Sequence, residues 1–151
     1  MERGGRLVIV GGPDDEARGA SLRKALRPDV IDMTGKATLR QTGVLLRRCS
    51  LFIGNDAGPM HLAAAAGIPV VGISCHPHGA DELHPNSPSR FGPWGVPHRV
   101  VRPEKPGEGC AGGCRARSAH CILGVPVGSV IDAAARLTEE TRTVWRPADV
   151  I

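Results

Sequence analysis

Four short apolar runs, each followed by a glycine or a polar residue, constrain the fold of this chain most. They are Leu7–Val10, Val30–Met33, Leu51–Gly54 and Pro69–Ile73. The segments between them are too long for hairpins and have the character of helices, so the order is β-α-β-α-β-α-β. Strands joined by such crossovers lie parallel. The sequence therefore predicts an α/β fold, a Rossmann-like parallel sheet with helices on both faces.

The composition agrees with that fold. Hydrophobic residues make up 41% of the chain and aromatic residues only 3%, without any tyrosine. A core of Val, Ile, Leu and Ala suits a helix-covered parallel sheet better than a β-sandwich. The length of 151 residues predicts one domain, 1–151, with a fifth strand at His98–Val101.

Capping signals locate two of the helices. Thr38 with Gln41 forms a capping box, and Ser129 with Asp132 resembles another that opens a final helix over about 129–141. The first helix, Pro13–Leu26, is expected to turn one side toward the sheet. The residues predicted on that side are Ala17, Ala20, Leu22 and Leu26.

Charge and hydropathy limit the kinds of partner that we expect this chain to bind. The formal net charge is +4, with no run of five or six like charges and no aromatic residues among the basic ones. This argues against nucleic-acid binding. No apolar stretch is long enough to span a membrane. The polar start, Met1–Arg6, lacks the order of a signal peptide, so we expect a cytoplasmic protein.

Two irregular stretches follow the fourth run. Residues 75–95 are rich in His, Pro, Ser and Gly. An irregular segment of this length is usually functional, so we expect a loop that covers a ligand-binding site. A different interpretation is a self-contained small enzyme that acts on a nucleotide. Its candidate base and nucleophile would be Cys75, His76 and His78 of this loop.

The second stretch, 103–121, contains three cysteines. Cys110, Cys114 and Cys121 follow the spacing C-x3-C-x6-C, with His120 beside the last. A small zinc site, a disulfide and unmodified thiols are all compatible with this pattern. Joint ligation by the adjacent His120 and Cys121 is geometrically awkward, so the main expectation is no metal.

The segment Gly54–His61 is the leading candidate for a binding site, because it follows a strand at the carboxyl edge of the sheet. Gly58 allows close approach of a ligand, and the N–H groups of Met60 and His61 are predicted to face an anion at the helix start. Asp56 would repel a phosphate, so we expect it to meet a sugar hydroxyl or to orient the turn. The alternative is that the turn only caps a structural helix.

The string from Asn55 to Ala65 resembles the donor-site signature of the heptosyltransferase family, which uses ADP-heptose to build lipopolysaccharide. Three flanking segments agree in order and spacing, so the resemblance covers roughly Leu7 to Gly95. These segments are Val8–Glu16, Asp32–Leu39 and Ser87–Gly95.

This resemblance implies the C-terminal, donor-binding domain of a GT-B glycosyltransferase, with a nucleotide-sugar donor (an ADP-sugar) and no further cofactor. It implies that Asp56 meets the donor sugar and that Asp15 or Glu16 reaches the ribose. Lys36 and Ala37 would border the base. The residues implied at the diphosphate are Ala57, Gly58, Met60 and His61.

The same resemblance implies an incomplete active site. Family members have two Rossmann-like domains, and the acceptor and the general base belong to the one that this sequence does not match. We therefore expect the chain alone to be inactive, and a separate acceptor domain or self-association to complete it. The alternative is a non-catalytic module that binds a nucleotide or nucleotide sugar. Ala57 also departs from the family, which usually has Ser or Thr there.

Overall fold

The computed structural model describes residues 5–26, 29–107, 110 and 120–141. The chain divides into two compact units, Met1–Leu45 and Leu46–Ile151. The strands are β1 (Val8–Ile9), β2 (Ile31–Asp32), β3 (Phe52–Asn55), β4 (Val70–Ile73) and β5 (His98–Val101). The α-helices are α1 (Glu16–Ala25), α2 (Leu39–Leu46), α3 (Gly58–Ala65), α4 (Pro88–Phe91) and α5 (Val127–Thr141). Short 3₁₀ helices occupy Pro13–Asp15 and Cys121–Gly124.

The first unit contains a two-stranded parallel sheet. Val8 lies opposite Ile31, and Ile9 lies opposite Asp32. The pairing continues past the strands, because the Gly35 N–H donates to the Gly11 carbonyl at 3.2 Å. Helix α1 forms the crossover between the two strands and contacts β2.

Helix α1 approaches β2 through a glycine. Gly19 is the buried residue of this helix, and a Cβ placed on it would lie only 2.3 Å from Thr34 Oγ1. The predicted inward side of the helix is wrong, since Ala17 and Ala20 are exposed and Leu22 and Leu26 are 48% and 41% exposed. Close backbone packing at Gly19, rather than the leucines, sets how the helix lies on its sheet.

Helix α2 begins as the sequence predicts. The Thr38 N–H donates to Gln41 Oε1 at 2.9 Å, and the Gln41 N–H donates to Thr38 Oγ1 at 3.3 Å. This reciprocal capping box satisfies two N–H groups that the helix start would otherwise leave without acceptors. Leu46, at the other end, is 3% exposed.

The second unit contains a three-stranded parallel sheet in the order β3-β4-β5. Strand β4 is central: Val70 pairs with Phe52 on one side and with His98 on the other. Val70 and Val71 are fully buried. An apolar strand that is paired on both edges and covered on both faces is typical of a Rossmann-like sheet.

Helices cover both faces of β4. Gly72 faces α3, because a Cβ placed on it would lie 3.0 Å from Met60 Sδ. The neighbouring residue Val71 points the other way and packs with Ala133 and Leu137 of α5. The predicted Rossmann-like fold with helices on both faces is therefore confirmed.

The predicted start of the last helix is wrong. Helix α5 begins at Val127, and the Ser129 N–H already donates to the Pro126 carbonyl at 3.1 Å. Ser129 thus lies within the first turn instead of capping it. Among the described residues, no helix has the length and apolar character that crossing a membrane requires.

We predict that Gly19→Ala lowers the free energy of unfolding by at least about 1 kcal/mol. Alanine is the better helix former, but its methyl group would overlap Thr34, and overpacking costs about 1–3 kcal/mol. Denaturant unfolding checks this, with Gly128→Ala as the matched control. Gly128 also lies in a helix, and a Cβ there meets no described atom within 4 Å. An equal or smaller loss for Gly19→Ala than for the control would contradict the packing assigned to Gly19.

Candidate functional site

The turn between β3 and α3 is built at the carboxyl end of β3. Asn55, the last residue of the strand, pairs with Ile73. The Asp56 N–H then donates to the Ile73 carbonyl at 3.1 Å, which fixes the point where the chain leaves the sheet. Ala57 is extended (φ −156°, ψ 174°) and caps the helix that starts at Gly58. The turn is thus anchored to the central strand.

The N–H groups at this helix start differ from the prediction. The Met60 N–H donates to the Ala57 carbonyl at 2.9 Å, and the Met60 side chain is 1% exposed. The prediction that the Met60 N–H is open to an anion is therefore wrong, because this N–H is already bonded within a tight first turn. The N–H groups of Ala57 and Gly58, by contrast, have no acceptor among the described residues. Both residues are exposed, so these two donors are open to a ligand.

The space around Gly58 is open as well. A Cβ placed on Gly58 would meet no described atom within 4 Å. Its φ is not in the left-handed region, so the backbone there does not itself require glycine. What glycine provides is unobstructed approach to the helix start, where the dipole favours an anion.

Asp56 and His61 form a pair beside these donors. Their Oδ1 and Nε2 atoms lie 3.5 Å apart, and their side chains are 24% and 48% exposed. When His61 is protonated, the pair offsets the negative charge that Asp56 would present to an incoming phosphate. The two side chains thus lie close together, and both remain accessible to a ligand.

In the first unit, Asp15 bonds within its own turn. Its Oδ2 accepts the Gly12 N–H at 3.1 Å, and its Oδ1 lies 3.4 Å from the Arg18 guanidinium. The carboxylate satisfies an N–H at the start of the helical segment and complements the helix dipole. The structure thus gives Asp15 a local structural role in addition to the predicted contact with ribose.

The other predicted residues of the first unit surround a turn. Gly35 has a φ of +66°, and a Cβ there would overlap the Glu16 carboxylate, which lies against it. The Lys36 ammonium donates to the Asp32 carbonyl at 3.0 Å. Ala37 is half-buried beside it. Glu16, Lys36 and Ala37 are thus brought to one small region.

Asp32 organises the preceding strand end. Its Oδ1 accepts from Thr34 Oγ1 at 2.6 Å and from the Thr34 N–H at 3.0 Å. These bonds, the side-chain one above all, hold the pKa of Asp32 below its ordinary value. Asp32 thus has a structural role that the sequence pattern did not predict.

The loop over residues 75–95 is organised by Glu82, which the sequence analysis also missed. Glu82 Oε2 accepts hydrogen bonds from the hydroxyls of Ser87 and Ser89, and Oε1 accepts from Arg102 at 3.1 Å. The hydrogen bonds from Ser89, Ser87 and Arg102, in that order, lower the pKa of Glu82 to about 2. The loop also contains the short helix α4, which Ser87 caps.

Arg102 ties this loop to the end of β5. Its guanidinium donates to the His76 carbonyl at 2.9 Å and to the Pro77 carbonyl at 2.8 Å. His76 is buried and stacks on His84 with the ring centroids 5.5 Å apart. Burial lowers the pKa of His76. These contacts make His76 part of the packing of the loop, which weakens the interpretation of a self-contained enzyme.

The structure also brings together residues of the cysteine segment. The ligand atoms of Cys110, His120 and Cys121 all lie within 4.8 Å of one another. Joint ligation by the adjacent His120 and Cys121 looked awkward from the sequence, yet their ligand atoms lie close together in the structure. Cys114, the third cysteine of the predicted pattern, lies outside the described residues.

Fold and turn together define an α/β fold of Rossmann type with an open helix start at the carboxyl edge of its sheet. Comparison with known proteins gives the family. Residues 1–114 match the profile of glycosyltransferase family 9 (heptosyltransferase), so the chain belongs to that family.

Curated relatives agree with this assignment. Lipopolysaccharide heptosyltransferase 3 of Escherichia coli is 33% identical over 79 residues, which cover 47% of this chain and 22% of that protein. Lipopolysaccharide heptosyltransferase 2 of E. coli K12 is 28% identical over 106 residues, which cover 68% of this chain and 28% of that protein. The chain therefore spans about a quarter of the length of these relatives.

Solved structures show the same fold. A family 9 glycosyltransferase from Veillonella parvula superposes with a TM-score of 0.67 at 26% identity, over 88% of this chain and 36% of that one. The ADP-heptose lipopolysaccharide heptosyltransferase II of E. coli superposes with a TM-score of 0.68 over 92% of this chain and 38% of that one. At 21% identity, the second likeness supports the fold alone.

We predict that Glu82→Gln lowers the melting temperature at pH 7 and that this difference becomes smaller as the pH falls below about 4.5. Because the folded pKa of about 2 lies below the ordinary value of 4.5, the stabilisation is complete above about pH 4.5 and is lost as the pH falls toward 2. Thermal melts between pH 7 and pH 3 check this, with Glu104→Gln, at an exposed position, as the control. A pH-independent difference would contradict the assigned hydrogen bonds.

Proposed function

We propose that this chain binds the nucleotide-sugar donor of a family 9 glycosyltransferase, and that it corresponds to the C-terminal, donor-binding domain of such an enzyme. The observation that carries the proposal is the open helix start at Ala57 and Gly58, with Asp56 and His61 beside it. The donor is an ADP-sugar of the heptose type, in keeping with the names of the relatives.

The chemistry of the turn suits a diphosphate. Two N–H groups would donate hydrogen bonds to its oxygens, and the positive end of the α3 dipole would attract its negative charge. Both would stabilise the nucleoside diphosphate as it leaves. These donors are preorganised, because the Asp56 N–H bond to Ile73 and the burial of Met60 hold the turn before any ligand arrives. The proposal requires no side-chain hydroxyl at Ala57, since the backbone supplies the donors.

Asp56 and His61 have different roles in this proposal. The His61 ring would approach the diphosphate as a cation or a donor. Asp56 would hold that ring and offer its remaining lone pairs to a hydroxyl of the donor sugar. By resemblance, Asp15 or Glu16 would bind the ribose, and Lys36 and Ala37 would border the base.

The proposed reaction needs more than this chain. In the complete enzyme an acceptor hydroxyl attacks the anomeric carbon of the donor, and the nucleoside diphosphate leaves. The relatives named above imply a lipopolysaccharide-type acceptor. The acceptor site and the general base are proposed to lie on a separate domain, so the 151-residue chain should bind the donor without transferring its sugar.

We predict that the chain binds ADP and that Gly58→Val weakens binding at least about tenfold, or about 1.4 kcal/mol. The valine side chain would stand where the diphosphate approaches the Ala57 and Gly58 N–H groups. Isothermal titration calorimetry measures this, and Gly128→Val is the matched control in the first turn of α5. Equal affinities for the wild-type chain, Gly58→Val and Gly128→Val would contradict the proposed site.

A second substitution distinguishes contacts with the donor sugar from contacts with the nucleoside diphosphate. We predict that Asp56→Ala reduces the affinity for an ADP-sugar more than that for ADP, because only the sugar would contact the carboxylate. Competition titrations with both ligands give the ratio. If Asp56→Ala changes both affinities equally, Asp56 acts only by orienting His61.

A further inference from the structure

We propose that Cys110, His120 and Cys121 form a binding site for a zinc ion, independent of the donor site. Cys110 Sγ lies 2.6 Å from His120 Nε2, and Cys121 Sγ lies 3.4 Å from the same nitrogen. Two sulfurs and one imidazole nitrogen thus face one point. Cys114 lies outside the described residues and is not part of the proposal.

The spacing of these atoms fits zinc with one adjustment. Zinc binds cysteine sulfur at about 2.3 Å and histidine nitrogen at about 2.0–2.1 Å, so tetrahedral ligands place sulfur about 3.6 Å from nitrogen. The separation for Cys121 is close to that value. Cys110 lies nearer, and its side chain would move outward by about 1 Å to admit the ion.

The surroundings of Cys121 suit a metal ligand. Its side chain is 8% exposed, and the Gly107 N–H donates to its sulfur at 3.3 Å. Hydrogen bonds of this kind stabilise the thiolate ligands of a metal site. Gly107 also leaves room for the cluster, because a Cβ there would lie 3.1 Å from the His120 ring and 3.3 Å from Cys121 Sγ.

The donor set selects the ion. Sulfur and imidazole ligands favour zinc over magnesium or calcium, which require oxygen. Two thiolates and a neutral imidazole also cancel the charge of a divalent cation, which suits a partly buried position.

The position of the cluster indicates a structural role. Cys121 opens the 3₁₀ helix Cys121–Gly124, which leads into α5, and α5 packs on Val71 of the central strand. Cys110 follows β5 in the chain. An ion held by Cys110 and Cys121 would therefore fix the connection between β5 and α5.

The test is the metal content of the full chain, purified under reducing conditions and measured by mass spectrometry. We expect about one zinc per chain, lost in Cys121→Ser and in His120→Gln. Cys75→Ser, at an exposed cysteine outside the cluster, is the control and should retain the ion.

Cobalt substitution keeps the test decisive if a variant fails to fold. Titrating the metal-free wild-type chain with Co²⁺ should give thiolate charge-transfer bands and the visible bands of a tetrahedral site, while circular dichroism monitors folding. A folded, reduced chain without zinc and without these cobalt bands would overturn the proposal. A disulfide that joins Cys110 or Cys121 and persists under these reducing conditions would also overturn it. Neither readout depends on nucleotide binding.

Discussion

The contact between Met60 and Gly72 is the constraint on which the candidate site depends. Met60 is 1% exposed, and it rests where Gly72 of the central strand has no side chain. Burying a methionine side chain contributes about 1.5–3 kcal/mol. Because Met60 belongs to the first turn of α3, the same contact that builds the core also sets the helix start against the sheet.

The ladder of the sheet fixes the other side of that turn. Asn55 pairs with Ile73, and the Asp56 N–H extends the pairing by one more bond. The backbone therefore leaves the strand at a defined point and reaches the buried Met60 within a few residues. Ala57 and Gly58, held between these two anchors, keep their N–H groups outward. Binding at such donors requires little reorganisation, which is the property that a leaving diphosphate needs.

Much of this organisation was predictable, because it depends on local patterns. The β-branched runs gave the strands, and β5 has the predicted bounds, His98–Val101. The capping box at Thr38 was also correct, since its partners are three residues apart. The turn after β3 was located from Gly58 and from its place directly after a predicted strand.

Other features were missed because they depend on contacts that sequence spacing does not show. Leu22 looked like a core residue, but the close approach at Gly19 turns α1 so that the leucine is exposed. A glycine inside a helical segment was the available signal for that contact. The bonds to Glu82 come from Ser87, Ser89 and Arg102, and the last is 20 residues away. The contact between Cys110 and His120 likewise joins residues ten positions apart.

An amide NMR titration of the ¹⁵N-labelled chain with ADP tests most directly whether the helix start at Ala57 and Gly58 binds the diphosphate. We predict that the Ala57 and Gly58 amide signals show the largest saturable shifts, while the Gly128 amide at the start of α5 stays unchanged. Hydrogen bonding to a phosphate oxygen would move both protons downfield. Saturable binding of ADP that leaves the Ala57 and Gly58 amides unperturbed would show that the ligand is held elsewhere, and would contradict the proposed site.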